Sequence, residues 1–461
     1  MFTKSMLTII LIAFCLSSGY PQTEIEQTLI TMEEAIFRAL KINNQVKASE
    51  YAIQRASWNK KNAITQLLPV LSLQSQYTWI DDSTFALRDF SRYFQDPNLP
   101  FQIEQTVFQN SFLTFFNVSL PIFNLMLINR ISQAGLNEDM AEDLNESARR
   151  AITFQVISGY INVLKQKEIY KLQNDYLELS RLNYEKAERL YNAGRYSKTD
   201  ALRWQVEYQQ QQSVVTTSQS NLRSSRIVLS RLLNAKRNEF FEVENRISPG
   251  LIEESAKLLE LSDLDLLALI QMDDDTLMQV NADLSAAKKN ENLSLSAYRN
   301  TYNTYFPVIN LNYNYGWREN ANVNLDSYNP KTLMINLSVP VFTSFQNYTQ
   351  LKSSYYQYRE SQENFYDKLL NLRYVLTETV NKLINLKTQK ALSKISLEFN
   401  ERNYRIVEQQ RERGLVSNID FVDAKVNLQN ASMDDVNNYY DFITGMVELY
   451  YLLGRLESIL E

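Results

Sequence analysis

One pattern occurs twice in this chain, in the same order and with nearly the same spacing, and it restricts the fold to a duplicated one. Leu67-Leu-Pro-Val-Leu-Ser-Leu-Gln-Ser-Gln-Tyr-Thr-Trp79 is matched by Tyr305-Phe-Pro-Val-Ile-Asn-Leu-Asn-Tyr-Asn-Tyr-Gly-Trp317, and Phe116-Asn-Val-Ser-Leu-Pro-Ile-Phe123 by Ile335-Asn-Leu-Ser-Val-Pro-Val-Phe342. Further on, Gly194-Arg-Tyr-Ser197-Lys-Thr-Asp200 is matched by Gly414-Leu-Val-Ser417-Asn-Ile-Asp420. The offsets are 238, 219 and 220 residues, so the first half has a loop 19 residues longer and the two otherwise stay in register. A register kept over three motifs marks an internal repeat.

Each motif has a local physical meaning. After Val70, Leu71, Leu73, Tyr77 and Trp79 fall on one side of an alternating pattern, with Ser72, Gln74, Gln76 and Thr78 on the other. That is the period of a strand with two unlike faces, and a length of about ten residues suits a membrane-spanning β-strand. Residues 112–122 alternate in the same way, Phe115 being the main exception. Gly194 and Gly414 can take the left-handed backbone that ends a helix. Ser197 and Ser417, each followed three residues later by an acid, carry the capping-box pattern that starts the next. Both stretches are expected to be tips of helical hairpins.

These signals divide the chain into a signal peptide over 1–19, a first repeat over 20–234, a mid-chain connector over 235–275 and a second repeat over 276–461. In the first repeat the expected elements are a helix over 32–68, strands over 70–79 and 112–123, a long helix over 125–193, a tip over 194–197 and a returning helix over 197–234. In the second they are a helix over 276–305, strands over 307–317 and 333–342, a long helix over 344–413, a tip over 414–417 and a returning helix over 417–456. Pro69, Pro121, Pro307 and Pro340 are placed at the helix–strand junctions, where a missing N–H can end one backbone period without breaking an interior hydrogen bond. Only nine glycines and nine prolines in 461 residues favour very long helices. At about 1.5 Å per residue each long helix would reach ~100 Å.

Residues 7–16 form a short apolar run after Lys4, followed by Ser17, Ser18 and Gly19, which reads as a secretory signal too short to cross a bilayer. Its removal takes away Cys15, the only cysteine, and leaves neither cysteine nor histidine. Disulfides, thiolate or imidazole metal sites and most acid–base constellations need those residues. No catalytic residue, cofactor or metal is therefore expected, and the chain is not read as an enzyme. Loss of Lys4 leaves 46 basic against 53 acidic residues, a net charge of −7, which gives nucleic acid no overall attraction. Asp273-Asp-Asp275 reads as a solvated helix start rather than a cation site.

Four strands of this kind form a sheet with two open edges, which lipid does not tolerate. Closure by other copies follows, and three copies of four strands give an even-numbered barrel within the known range. The order of the signals resembles the TolC-type outer-membrane efflux protein family, the outer membrane factors, over essentially the whole mature chain. The features that carry it are the opening Thr31-Met-Glu-Glu-Ala35, two Pro-led strands, two Asn-x-Ser-x-Pro strand ends and two Gly-x-x-Ser-x-x-Asp tips.

The resemblance implies a mainly α fold with a membrane β-barrel portion, a duplicated β-hairpin plus a long antiparallel helical hairpin. Trimerisation would complete a 12-stranded β-barrel in the outer membrane and an α-helical barrel in the periplasm. It also implies a passive exit duct for small molecules such as drugs or metabolites, part of a tripartite efflux or export system. The partners would be two further copies, outer-membrane lipid, a periplasmic membrane-fusion adaptor and an inner-membrane pump or exporter. The duct of a type I protein secretion system is the alternative within this fold. A secreted coiled-coil structural or adhesive protein is the alternative outside it, and it leaves the four two-faced strands unexplained.

Carried over residue by residue, the resemblance places Asp420 and Asp423 at the pore constriction. Their spacing of three puts them on one helix face, and three copies would gather six carboxylates about one axis, a ring that favours cations. Thr199 and Asp200 match latch partners on the first tip. On the second, Arg411 and Val416 stand where the family has a Tyr and an Arg, which makes Arg411 the candidate partner of Asp200. Gly194, Arg195, Tyr196, Ser197, Gly414, Leu415, Val416 and Ser417 form the tip turns and the implied adaptor-docking surface. Asp200 and Asp420 also have a plain reading as capping acids favoured by the helix dipole.

Overall fold

The computed structural model describes residues 26–89, 107–236, 239–319 and 330–460, so the expected signal peptide and part of the loop between the first two repeat strands lie outside the described residues. The chain begins with strand β1 (Glu26–Ile30), helices α1 (Met32–Ile42) and α2 (Asn44–Thr65), strand β2 (Val70–Trp79) and the short helix α3 (Asp82–Arg88). Strand β3 (Asn110–Phe123) leads into the hairpin of α4 (Leu125–Asn192) and α5 (Lys198–Leu232). Strand β4 (Glu239–Val243) and helices α6 (Pro249–Glu260), α7 (Asp263–Ala268), α8 (Asp274–Val280) and α9 (Ala282–Tyr302) follow. Strands β5 (Val308–Glu319) and β6 (Lys331–Ser338) and the hairpin of α10 (Gln346–Glu412) and α11 (Asn418–Leu452) complete the order. Helices α4 and α10 are unbroken over 68 and 67 residues. Among the described residues no helix is long and apolar enough to cross a membrane.

Several elements depart from the sequence reading, each for a local reason. The helix expected over 32–68 is two helices that break at Asn43, where the backbone is extended. Asn43 Nδ2 donates to Leu232 O at 2.9 Å, and its Oδ1 accepts from Gln45 N at 2.8 Å. One buried side chain thus starts α2 and satisfies the end of α5, and a continuous helix would forfeit both bonds. The helix expected over 276–305 begins as α8, stops at the extended Asn281 and resumes as α9. The strand expected over 333–342 ends at Ser338; beyond it Ser344 and Phe345 take φ of 51° and 64°, turning the chain out of the extended path before α10. Pro121 stands inside β3 rather than at a junction, next to a bulge between Pro121 and Phe123 where the ladder to β5 is already interrupted. The parallel pairing of β1 with β4 has no counterpart in the sequence reading.

Compactness divides the chain across the repeats rather than between them. One unit comprises Met1–Glu50, Asn145–Ala282 and Leu369–Glu461, the other Tyr51–Leu144 and Asp283–Lys368. In the first, the hairpins α4–α5 and α10–α11 bury Ile157, Tyr160, Phe442 and Met446. The Tyr160 hydroxyl reaches Ile30 O at 3.2 Å and Glu244 O at 3.0 Å, tying α4 to the β1–β4 pair. Gly445 lets α11 lie close on α10, since a Cβ there would come within 3.1 Å of Leu386 Cδ1.

The second unit holds a four-stranded antiparallel sheet in the order β2-β3-β5-β6. Its register pairs Val70 with Ser119, Asn117 with Asn314 and Asn310 with Asn336, and this sorts the side chains by face. One face carries Leu71, Leu73, Tyr77, Phe112, Phe116 and Trp317, with Tyr77 against Phe112 at 4.7 Å and Phe116 against Trp317 at 5.9 Å between ring centroids. On the same face the Ser75 and Thr114 hydroxyls bond each other at 2.9 Å. The other face carries Ser72, Gln74, Asn117, Ser119, Asn312 and Asn336. Strands β2 and β6 have no partner on their outer edges among the described residues.

Candidate functional site

Both hairpin tips lie in the first unit and are built by the same hydrogen bonds. Gly194 N donates to Tyr191 O at 2.9 Å and Arg195 N to Leu190 O at 2.8 Å; Gly414 N donates to Arg411 O at 3.0 Å and Leu415 N to Gln410 O at 2.9 Å. The glycine φ angles of 70° and 73° are the left-handed caps that let these bonds satisfy the last helical carbonyls. The next helices start on serine: Asp200 N donates to Ser197 Oγ at 3.1 Å and Asp420 N to Ser417 Oγ at 3.2 Å.

The two acids then differ. Ser417 N donates back to Asp420 Oδ2 at 3.1 Å and completes a capping box, whereas Asp200 accepts from Ser197 Oγ at 2.6 Å and from the Asn418 side chain. Both carboxyls are held below the ordinary Asp range. For Asp420 the causes are the Ser417 hydroxyl and backbone; for Asp200 they are chiefly Ser197, with Asn418 and the Arg203 charge adding to it. Asn418 also accepts from the Tyr196 hydroxyl at 2.6 Å, so one asparagine on the second tip holds two side chains of the first.

Arg411 does not meet Asp200. Its Nη1 donates to Asn183 Oδ1 at 2.9 Å, and its guanidinium carbon lies 4.0 Å from the Phe421 ring centroid and 5.1 Å from that of Trp204. Trp204, Phe421 and Ala187 form the buried core of the tip region, with Tyr196 and Tyr404 packed against it. A flat, weakly hydrated guanidinium suits ring faces, while Asp200 is already answered by Asn418. Thr199 and Arg195 are exposed, Val416 is half-buried, and Leu415 projects with 69% of its surface accessible. Asp420 and Asp423 are both exposed near the start of α11.

Farther from the tips, buried polar side chains absent from the sequence reading join α4, α5 and α11. Lys425 is completely buried and donates to Glu207 Oε1 at 2.9 Å and to Ser180 Oγ. Next to it Gln211 and Gln429 both donate to Gln173 Oε1, at 2.8 and 2.9 Å, and Tyr176 Oη lies 3.1 Å from Ser432 Oγ. A signal for this seam exists in the sequence. Gln173, Ser180 and Ala187 recur every seven residues on α4, as do Trp204, Gln211, Ser218 and Ser225 on α5, and all are buried. A heptad search that accepts only apolar residues passes over it.

Residues 275–455 match the family model described as Outer membrane efflux protein. No curated protein sequence matches the chain. Among solved structures, the Campylobacter jejuni CmeC outer membrane channel is similar over 92% of this chain and 86% of its own, at 14% identity and a TM-score of 0.76. The Vibrio cholerae outer membrane protein VceC is similar over 92% of this chain and 96% of its own, at 15% identity and a TM-score of 0.75. The open state of the Neisseria gonorrhoeae MtrE outer membrane channel matches over 92% and 89%, at 13% identity and a TM-score of 0.69. At these identities the likeness is one of fold.

Proposed function

We infer that this chain, whose second repeat matches the outer membrane efflux protein family and whose fold is that of outer-membrane channels, is one third of a passive outer-membrane duct for small molecules such as drugs or metabolites. The observation that carries the reading is the sheet of the second unit: one face apolar and aromatic, the other rich in Asn, Ser and Gln, and both outer edges unpaired among the described residues. In a bilayer such a sheet is stable only when closed. Two further copies would close it with the apolar face to lipid and the amide face to water. The paired helical hairpins would continue the wall into the periplasm, where a membrane-fusion adaptor docks at the tips around Arg195, Tyr196, Leu415 and Val416 and an inner-membrane pump supplies the energy.

At the tips, Asp420 and Asp423 would form the constriction. Asp420 stays ionised well below neutral pH, because its capping contacts favour the charged form, and a ring of carboxylates attracts cations. Asn418, with Tyr196 and Asp200, and Arg411, with Asn183, would hold the two hairpins of one protomer together in the role of a latch.

Extraction of the outer-membrane fraction should yield a trimer that forms discrete channels in planar bilayers. Multivalent cations should block it from the tip side, and Asp420→Asn with Asp423→Asn should relieve that block. A monomer in the soluble periplasm would refute the duct; block unchanged in the double variant would remove the two acids from the constriction. Cross-linking in cells followed by identification of the captured adaptor would name the pump and hence the cargo class.

A further inference from the structure

Among its paired residues the polar face of the sheet carries a few apolar side chains, Val70, Leu113 and Met334 among them, and one aromatic ring. Phe115 is that ring, lying between Leu113 and Asn117 along β3, with Gln74 opposite on β2 and Gly316 opposite on β5. The other aromatic residues of the paired strands, Phe112, Phe116 and Trp317 among them, occupy the other face. Gly316 makes the placement possible: a Cβ at 316 would lie 2.8 Å from Phe115 Cβ and 2.9 Å from the Thr114 carbonyl oxygen, so no side chain fits beside Phe115.

A cross-strand aromatic covering a bare glycine stabilises a sheet, which would account for the pair if β5 needed glycine there. The internal repeat provides the control. With offsets of 238 and 219, the equivalents of Gly316 and Phe115 are Thr78 and Met334. Thr78 sits in β2 without distortion and pairs with Ser111, and Met334 pairs with Asn312. Thr78 lies on the edge strand β2, whereas Gly316 lies in the interior strand β5, where the backbone of β3 at Thr114 and Phe115 leaves no room for a side chain; Met334 shows that an apolar side chain at the position of Phe115 needs no glycine partner.

We propose that Phe115, next to Leu113, is the polarity filter of the strand end of the duct, an aromatic collar on a mainly polar wall that slows large hydrated solutes and offers a contact surface to aromatic or amphipathic cargo. The proposal rests on the duct reading, in which three copies bring three Phe115 rings to one level. Apolar constrictions impede hydrated solutes by dewetting, and an aromatic face accepts flat apolar ones by offset stacking.

Ser119 lies on the same face as Phe115, one step nearer α4 than Asn117. In a Cys15→Ser background, which removes the only native cysteine, Ser119→Cys places a thiol that reagents entering from outside reach only past Phe115. The experiment adds membrane-impermeant maleimides, one small and one bulky and hydrophilic, to intact cells and measures the rate of modification. Adding Phe115→Ser should speed the bulky reagent roughly tenfold, equivalent to about 1.4 kcal/mol of barrier, and the small one much less; Phe115→Trp should slow both. Trimer yield in the outer membrane checks that each variant assembles, and Phe115→Leu serves if the serine variant does not. A reactive thiol at 119 with equal rates in all backgrounds overturns the collar alone. A thiol at 119 that never reacts, while one introduced by Val118→Cys on the opposite face does, overturns the duct reading and the collar with it.

Discussion

The buried ion pair of Lys425 and Glu207 permits a quantitative test of how the helical hairpins are held. Lys425→Met nearly preserves volume, so its cost falls on the partners left behind. Glu207 loses its cation with 17% of its side chain exposed, and the fully buried Ser180 loses a donor. Breaking a buried pair from one side costs roughly 3–5 kcal/mol, and the partial exposure of Glu207 puts this case at the low end, about 3 kcal/mol. At about 1.4 kcal/mol per factor of ten, local opening of α5 and α11 becomes about two powers of ten more frequent. Hydrogen exchange of the full-length protein, read by mass spectrometry, should show that loss of protection over residues 204–211 and 421–429. Adding Glu207→Gln should restore most of it, because the charge that was left uncompensated is gone. If the double variant loses as much protection as the two single variants combined, the pair is not coupled and the reasoning fails.

Four further outcomes follow. Arg411→Lys should weaken the tip by about 1 kcal/mol, since a lysine cannot stack on Phe421 and Trp204 while reaching Asn183; protection of amides near residues 404–421 reads this. Gly194→Ala and Gly414→Ala should each cost about 1 kcal/mol in thermal stability from the left-handed backbone alone, because an added Cβ at either meets nothing within 4 Å. Gly454→Ala should sharply lower the yield of folded protein, read by thermal melting, because there the φ of 67° is joined by a Cβ 2.1 Å from Val280 O. Asp420 has a folded pKa below its unfolded value, so the stability from its cap is present above about pH 4 and is lost as pH falls through the folded pKa. Protection of the Ser417 and Asp420 amides, corrected for intrinsic exchange, should stay level from about pH 5 to 8; a decline within that window would show the cap is not made by the carboxylate.

The parts of the fold that repeat with a short period were legible in the sequence. Alternation over Val70–Trp79 announces both β2 and its two faces, and the glycine and serine of each tip announce where a helix ends and the next starts. What escaped depends on partners distant along the chain. Nothing local to residues 32–68 reveals that Asn43 will bond Leu232, and β1 has no meaning without β4 more than two hundred residues away. Arg411 departs from its expected partner for a related reason. Matching Arg411 to a family position suggested an ionic partner in Asp200, whereas the ring faces of Trp204 and Phe421 and the amide of Asn183 compete for a guanidinium just as well. Lys425 carries no local signal of its burial, since a lysine in helical sequence is expected at the surface.

The interleaving of the two compact units has a consequence for how the chain is made. Phe123 pairs with Ile309, and Ile30 with Val243, so both units draw on strands separated by roughly 190 to 210 residues. At about 5–20 residues per second of synthesis, β3 waits on the order of 10–40 s for β5 to emerge. During that interval a hairpin with an apolar face and a free edge stands in water, a state prone to strand-to-strand aggregation. Neither repeat can finish a unit by itself, so release of the first half alone should give an insoluble product. The fold is thus complete only once the last helix has arrived, and until then the first half keeps its apolar face and free strand edges exposed.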